Sequence, residues 1–262
     1  MRSDAGKGSR ARAVISIGLA VAALGGAAES RAANARPAMP SKTYTIPGKT
    51  YTWTFQADTL GQKPAHSVAF GGTWSVSVDS TGSASSAARD SAAATAGGPA
   101  DSARQVESAP LPPRLLSQSE GDDGIAYHYL TFTRPLLQDL DASVRFRIRS
   151  GEMDPSAGLL FQMDPKGTSG YLVRVSGKSG EMAFHYLLYG KRRDVKYAKI
   201  DPPALGTWHT IAVKRRGSVL RAFYDGKELL ETRDDRFSKG TVGVWGEDDT
   251  LVDFADLTAT AR

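Results

Sequence analysis

Three arginines at alternate positions form the most prominent candidate for binding chemistry in this sequence. In the segment ASVRFRIRS, Arg145, Arg147 and Arg149 alternate with apolar residues. Because successive side chains of a β-strand point to opposite faces, the three guanidinium groups share the face that lies away from the core. Guanidinium groups form planar, charge-assisted hydrogen bonds. If this face is the concave side of a sheet, the arginines line a groove, and if it is the convex side, they are simply exposed.

Neighbouring segments place further polar and aromatic side chains at positions that point away from the core. Together with one of the arginines they form the candidate ligand-binding set: Arg147, Gln162, Arg174, His185, Tyr189 and Trp245. Pyranose rings present hydroxyl edges and apolar C–H faces, so sugar sites combine polar forks with aromatic rings. The set therefore predicts a site for a carbohydrate or glycoconjugate. The alternative is a solvated sheet face with Trp245 packed in the core.

The carboxylates do not form a recognisable catalytic pair. Glycoside hydrolysis ordinarily requires two carboxyl groups, about 5 to 9.5 Å apart, that flank the scissile bond. Glu152 and Asp154 stand close together, but Pro155 follows them, and proline lacks the N–H group that a central strand requires. The segment is therefore predicted to be a loop. No nucleophile, acid or base can be assigned from spacing, and the catalytic residues are unknown.

The pattern of metal-ligating residues favours calcium over zinc. The four histidines have no close pairing, whereas zinc sites usually hold some ligands at short spacing. Calcium takes about six to eight oxygen ligands. Asp58 and Asp256 are the calcium candidates, with the pairs Asp122–Asp123 and Asp248–Asp249 as further sources of oxygen. The alternative is that these aspartates organise turns, so the sequence allows a structural calcium and requires no cofactor.

The elements that position these residues are short strands. From Asp141 to Arg262, successive segments place apolar residues at every second position, without a helical period. Such alternation buries one face of a sheet and leaves the other in water. Asp225–Gly226 is the residue pair of a tight hairpin, and two further strands are expected around Trp53 and Trp74. So many short strands predict an all-β fold, a two-sheet sandwich or jelly roll.

Length and composition are typical of one globular domain. The chain has 262 residues, of which 40% are hydrophobic and 23% charged. The segment 80–113 is rich in alanine and serine, lacks aromatic residues and ends in prolines. A segment of this composition buries too little apolar surface to offset the entropy lost on ordering. The sequence predicts a single β-sandwich domain over 34–262 with a mobile insertion at about 80–113.

Residues 1–33 resemble a secretory signal peptide. A basic start is followed by an apolar stretch rich in alanine and glycine, from Ala13 to Ala28, and then by small residues that suit cleavage. The alternative, a membrane span, needs about 20 strongly apolar residues. The chain has no cysteine, which excludes disulfides and a cysteine-linked lipid anchor. The expectation is a secreted or periplasmic protein with no membrane anchor in the mature chain.

The charge of the chain does not indicate nucleic-acid binding. The formal net charge is +5, but more than half of it lies in residues 1–33, and a nearly neutral mature chain attracts polyphosphate weakly. Two basic clusters, Lys191–Arg193 and Lys214–Arg216, stand where strands are expected to end and are predicted to be solvated turns. The expected partner is therefore a carbohydrate or glycoconjugate and not a nucleic acid.

Several segments resemble those of one superfamily: AGLL at 157–160, YLVR at 171–174, GTWHTIAV at 206–213, the Asp-Gly hairpin and FADL at 254–257. They are similar to exported bacterial domains of the concanavalin A-like lectin/glucanase superfamily. More narrowly, they resemble laminin-G-like proteins grouped with 3-keto-disaccharide hydrolases and, loosely, with family 16 glycoside hydrolases. The resemblance implies a concanavalin A-like two-sheet jelly roll.

This resemblance leaves the function open, because the fold carries lectins, glycan-degrading enzymes and adhesion modules that bind proteins. The first of these is the main expectation and the other two are alternatives. The family 16 motif has three spaced carboxylates, and Ala157 stands at the position of the third. No catalytic residue can therefore be carried over to this chain.

Overall fold

The computed structural model describes residues 46–79, 113–121 and 127–262. The predicted signal peptide, nearly all of the 80–113 segment and Asp122–Asp123 lie outside the described residues. The described residues contain fifteen strands: β1 (Thr50–Trp53), β2 (Ser67–Phe70), β3 (Trp74–Val78), β4 (Arg114–Gln118), β5 (Tyr127–Phe132), β6 (Leu140–Ser150), β7 (Ser156–Met163), β8 (Gly170–Ser176), β9 (Glu181–Leu188), β10 (Lys191–Lys199), β11 (His209–Arg216), β12 (Val219–Tyr224), β13 (Lys227–Arg233), β14 (Thr241–Glu247) and β15 (Leu251–Ala261). Among them is no helix long and apolar enough to cross a membrane.

The strands form two antiparallel sheets. Sheet A has the order β13-β12-β11-β6-β15-β4-β3, with β1 paired to β15, and sheet B has the order β10-β9-β8-β7-β14-β5-β2. In both sheets a strand from the C-terminal end of the chain lies beside strands from the first half, because β15 pairs with β4 and β14 pairs with β5. Strands on both sides of the 80–113 segment thus belong to one sandwich.

The main hydrophobic core lies between the sheets. Val144 and Phe146 from sheet A and Leu159 and Phe161 from sheet B belong to it, and all four are fully buried. Burial of each such side chain stabilises the fold by about 1.5–3 kcal/mol. Leu160, between two of these core residues, belongs to a separate apolar cluster. This alternation confirms the predicted all-β, two-sheet sandwich.

Two local predictions agree with the structure. Asp225 and Gly226 connect β12 to β13 with φ values of 47° and 80°, the left-handed conformation that a tight hairpin of this type requires. The segment from Glu152 to Pro155 is a loop between β6 and β7. A proline at its end therefore does not interrupt a central strand.

The prediction that both basic clusters are solvated turns was wrong. The chain reverses earlier, at Tyr189 and Gly190, where φ is 52° and 74°, so that Lys191 pairs with Leu188 and begins β10. The second cluster lies within β11, where Arg215 is only 4% exposed and pairs with Asp139 at 2.9 Å. β10 is an edge strand of sheet B, where lysine and arginine are common. β11 is an interior strand of sheet A, and Arg215 is buried there because Asp139 pairs with it. Composition alone shows neither placement.

Candidate functional site

The outer face of sheet B, the side turned away from the core, carries a row of residues in register across five strands. The row consists of Tyr197, Ala183, Arg174, Gly158 and Trp245. Ala183, Arg174 and Gly158 each lie between two neighbours that pack into the core, and for Arg174 these neighbours are valines. The alternation that builds the core therefore also aligns these outward side chains.

Arg174 lies in this row between two small residues, Ala183 and Gly158. A Cβ atom added at Gly158 would lie 2.7 Å from Leu172 Cδ1 and 2.9 Å from the carbonyl oxygen of Val173, so a larger side chain is excluded there. A cleft of about 560 Å³ opens over this part of the face, lined by Arg174, Glu181, Ala183, Phe184, His185, Arg192, Asp194, Val195, Lys196 and Tyr197. Ala183, with its single methyl group, lines the cleft beside Arg174, whereas Gly158 allows the close packing of the strands on the other side.

A network of charged groups fixes the position of Arg174. Its Nε lies 2.6 Å from Glu247 Oε2, and its Nη2 contacts Asp154. Arg192 Nη1 donates to both oxygens of Glu247 at 2.6 Å, and Ser176 Oγ donates to Asp154 at 2.6 Å. The Glu247 side chain is only 4% exposed, and a buried charge requires such partners. The network therefore holds two guanidinium groups rigidly along one side of the cleft.

His185 lies in the same cleft and is neutral at neutral pH. Burial first, and the nearby positive charges of Arg192 and Arg174 second, lower its pKa from 6.5 to about 4. Its Nδ1 lies 2.9 Å from the Asp194 carboxylate, which can only accept, so Nδ1 carries the proton. Nε2 is then an acceptor, and this buried atom has no hydrogen-bond partner among the described residues.

An aromatic stack continues from the charged network across β14, β5 and β2. Tyr127 and Tyr129 lie 4.7 and 5.2 Å from Trp245, and Phe70 lies 4.7 Å from Tyr129. The Arg192 guanidinium group sits 5.2 Å from the Tyr127 ring. Burial, followed by the charge of a nearby aspartate, raises the pKa of Tyr129 to about 12. The stack is thus a packed, largely buried support for the charged network.

Solved structures share this architecture. The carbohydrate-binding module CBM66 from Bacillus subtilis is 17% identical, with 56% of this chain and 86% of that chain covered at a TM-score of 0.51. A Bacillus subtilis protein with a galectin-like fold is 12% identical, with 57% and 84% covered at 0.44. The exoplasmic/lumenal domain of VIP36, bound to Ca²⁺ and Man3GlcNAc, is 10% identical, with 58% and 80% covered at 0.48.

The likeness to the carbohydrate-binding module shows the fold. No protein-family model matches the sequence, and no curated protein matches it either. The two-sheet sandwich agrees with the predicted fold class, a concanavalin A-like jelly roll. The narrower resemblance to laminin-G-like proteins and 3-keto-disaccharide hydrolases stays a prediction.

The structure brings two of the six candidate ligand-binding residues together in the cleft. These are Arg174 and His185. Trp245 lies on the same face but is 0% exposed, so the alternative of a packed tryptophan holds. Gln162 is 1% exposed, and its Nε2 donates to the Gln138 carbonyl at 2.6 Å. Tyr189 is 82% exposed at the tip of the β9–β10 turn and does not line the cleft.

Arg147 does not share a face with the other candidates. It lies in β6, which belongs to sheet A, and it pairs there with Asp253 at 2.7 Å. The expectation of one common face was therefore wrong for this residue. The alternation within a strand shows which side chains point away from the hydrophobic core. It does not show to which of the two sheets the strand belongs.

Four further residues of the site were not recognised from the sequence: Asp154, Arg192, Tyr197 and Glu247. Tyr197 is 66% exposed and is the accessible aromatic ring of the cleft. A strand prediction for 191–199 would have placed Arg192 on an outward face. Glu247 stands two positions after Trp245, in the same phase, and that spacing was the available signal.

The described residues do not fit the expected calcium site. Asp58 Oδ1 accepts a hydrogen bond from the Ala65 N–H at 2.8 Å, and Asp256 pairs with Arg145 at 3.0 Å. The carboxylate of Asp249 accepts the N–H groups of Glu152 and Met153. Within the described ranges, no three His, Cys, Asp or Glu residues group around a possible metal position. These aspartates serve turns and ion pairs instead.

Proposed function

We propose that this chain is an exported carbohydrate- or glycoconjugate-binding protein whose site is the cleft on the outer face of sheet B. The observation that carries the proposal is the arrangement of the fixed guanidinium group of Arg174, the exposed carboxylate of Asp194 and the exposed ring of Tyr197 along one cleft. Donors, an acceptor and an aromatic ring are the groups that a sugar requires. The fold shared with a carbohydrate-binding module supports the same conclusion.

The binding mode follows from the contacts of these groups. Arg174 uses Nε and Nη2 for its carboxylate partners, and Nη1 has no partner among the described residues, so it can donate to a hydroxyl group. The exposed Asp194 carboxylate can accept from a second hydroxyl group, whereas His185 Nε2 is buried. Tyr197 offers a ring against which the C–H face of a pyranose can pack. The rigid ion network lowers the entropy that is lost when the ligand binds.

Two variants in the cleft test this proposal, after a glycan array has selected the best ligand. Arg174→Ala is expected to weaken binding by about 1.5–3 kcal/mol, the range for hydrogen bonds that involve a charged group. Tyr197→Ala removes an exposed ring without disturbing the ion network and is expected to weaken binding roughly 3- to 10-fold. Titration calorimetry measures both affinities.

Arg221→Ala is the matched control, because Arg221 is an exposed, ion-paired arginine of β12 in sheet A. It is expected to bind the glycan as the wild type does. Equal affinity in all three variants would refute the assignment of this cleft.

A glycan-degrading enzyme is the second candidate function, and the carboxylates Asp154 and Glu247 beside the cleft motivate it. Both oxygens of Glu247 are engaged by guanidinium groups, which leaves no oxygen free for proton transfer and favours the binding function. Incubation with the selected glycan, followed by an assay for new reducing ends, separates the two. Product formation that disappears in Glu247→Gln would replace the binding proposal with a hydrolase.

A further inference from the structure

The outer face of sheet A carries a second polar row that the cleft on sheet B does not include. Ser75, Ser117, Asp253 and Arg147 are in register across β3, β4, β15 and β6. The next strand, β11, pairs its first residue with the neighbour of Arg147 in β6, which brings Trp208 to the end of the row. A serine-rich edge, a charged centre and a tryptophan thus follow one another across the sheet.

A groove of about 510 Å³ runs over this row. Its lining consists of Ser75, Ser77, Val78, Leu115, Ser117, Ser119, Arg147, Arg149, Gly206 and Asp253. Four of these residues are serines, whose hydroxyl groups donate and accept hydrogen bonds. The groove therefore offers mainly hydroxyl groups on one side and guanidinium groups on the other.

Asp253 forms the fixed centre of the groove. It is only 3% exposed and accepts from Ser117 Oγ at 2.8 Å and from Arg147 Nη2 at 2.7 Å. Arg149 Nε lies 3.1 Å from Asp253 Oδ1, the oxygen that also accepts from Ser117. The hydroxyl groups of Ser77 and Ser117 are 2.7 Å apart. This chain of contacts holds the groove floor in one arrangement before any ligand binds.

Trp208 closes one end of the row. It is half-buried, and the guanidinium groups of Arg145 and Arg147 lie 4.9 and 4.7 Å from its ring. Such cation–π contacts orient an indole ring. Arg145 is itself tied to Asp256 at 3.0 Å. The tryptophan is therefore held at a defined position, with part of its surface open to solvent.

We propose that the outer face of sheet A is a second saccharide-binding site, which takes an uncharged sugar chain along the row from Ser75 to Trp208. The arginines of this face are matched by Asp79, Asp253 and Asp256, so the groove has no net charge that would select an anionic ligand. Hydroxyl groups, paired guanidinium groups and one indole ring suit a neutral polyol.

The two sites lie on opposite faces of the sandwich, so a single chain can hold two glycan strands and bridge them. The inference shares its ligand class with the proposed function but rests on different residues. Bridging two strands gives an avidity that neither site provides alone.

Calorimetric titration with a neutral oligosaccharide selected on the array tests the second site. The wild type is expected to bind two ligands per chain. Trp208→Ala and Tyr197→Ala are each expected to weaken binding at the altered site by roughly 3- to 10-fold and to leave the other site unchanged. Ser75→Tyr fills the groove from a half-buried strand position without touching the ion pairs and is expected to act like Trp208→Ala. It provides the test if Trp208→Ala fails to fold.

A turbidity assay with a long neutral polysaccharide reports bridging. The wild type is expected to precipitate the polysaccharide. Variants that lack one of the two sites are expected to leave it in solution. Binding of one ligand that only Tyr197→Ala or Arg174→Ala weakens would overturn the second site and leave the proposed function standing. Binding of one ligand that only the sheet A variants weaken would overturn the cleft on sheet B instead, and no binding in the wild type would overturn both.

Discussion

At the scale of single residues, the site depends on buried charges that satisfy one another. Glu247 is the common partner of Arg174 and Arg192 and lies almost entirely out of solvent. Burial of any one of these charges alone would be strongly unfavourable, whereas the group as a whole is stable. The same residues that prepare the cleft for a ligand therefore also contribute to folding.

Removal of Glu247 is expected to destabilise the fold. Glu247→Ala leaves Arg192 without this carboxylate and Arg174 with Asp154 alone, and the free energy of unfolding should fall by about 3 kcal/mol. Urea unfolding measures the change. Glu231→Ala serves as the control, because Glu231 pairs with Arg221 on the exposed surface, where ion pairs contribute little. A similar loss in both variants would contradict a special role for the buried network.

His185 is expected to make stability depend on pH. The unfolded chain binds a proton at this histidine below about pH 6.5, whereas the folded chain binds it only below about pH 4. Between these values the unfolded state takes up more protons, so the free energy of unfolding falls as the pH falls, by at most about 1.4 kcal/mol per pH unit for one proton.

Urea unfolding at a series of pH values, with His185→Gln alongside the wild type, isolates this contribution. The variant is expected to lose less stability between pH 6.5 and pH 4 than the wild type. Curves that stay parallel over this range would show that His185 has the same proton affinity in the folded and unfolded chain.

Among the secondary-structure elements, the ends of strands β10 and β11 could not be distinguished from turns by their composition. Lys191–Arg193 begins β10 and Lys214–Arg216 ends β11, although both clusters have the composition of solvated turns. The difference lies in long-range partners. Arg215 is buried because Asp139, far away in the sequence, accepts its hydrogen bond, and this contact is not visible in local composition.

Adjacent arginines in β11 are therefore expected to differ in their contribution to stability. Arg215→Ala removes a buried ion pair and should lower the free energy of unfolding by about 1.5–3 kcal/mol. Arg216, whose side chain is 48% exposed, should be replaceable by alanine with little effect. Thermal and urea unfolding of the two variants give the comparison. The reverse order would mean that Arg215 is not held by Asp139 in solution.

At the scale of the whole molecule, the sandwich presents two outer faces with related chemistry. Each has a row in register, in which an arginine with buried carboxylate partners lies near an aromatic residue. The core between the sheets is formed by the alternate residues of the same strands. A sandwich can thus carry binding groups on both outer faces without any change in its core.

Export is expected to precede function. Residues 1–33 have a basic start and a short Ala/Gly-rich apolar stretch, so cleavage should yield a mature chain that begins between Arg31 and Asn34. N-terminal sequencing of protein recovered from an exporting host checks this outcome. Recovery of the full-length chain embedded in the membrane would replace the signal peptide with an anchor.

Local patterns in the sequence were sufficient to predict the fold class, the outward phase of Arg174 and His185, and the Asp225–Gly226 hairpin. These features depend on alternation and on turn residues, which act over a few positions of the chain. Three features became visible only in the folded chain: Arg147 belongs to sheet A, Trp245 is buried, and Arg192 and Glu247 join the charged network beside the cleft. The reason is physical: strand pairing joins residues that are far apart in the chain, as the separations of 106 positions for Arg147 and Asp253 and 55 for Arg192 and Glu247 show, and no local pattern specifies such partners.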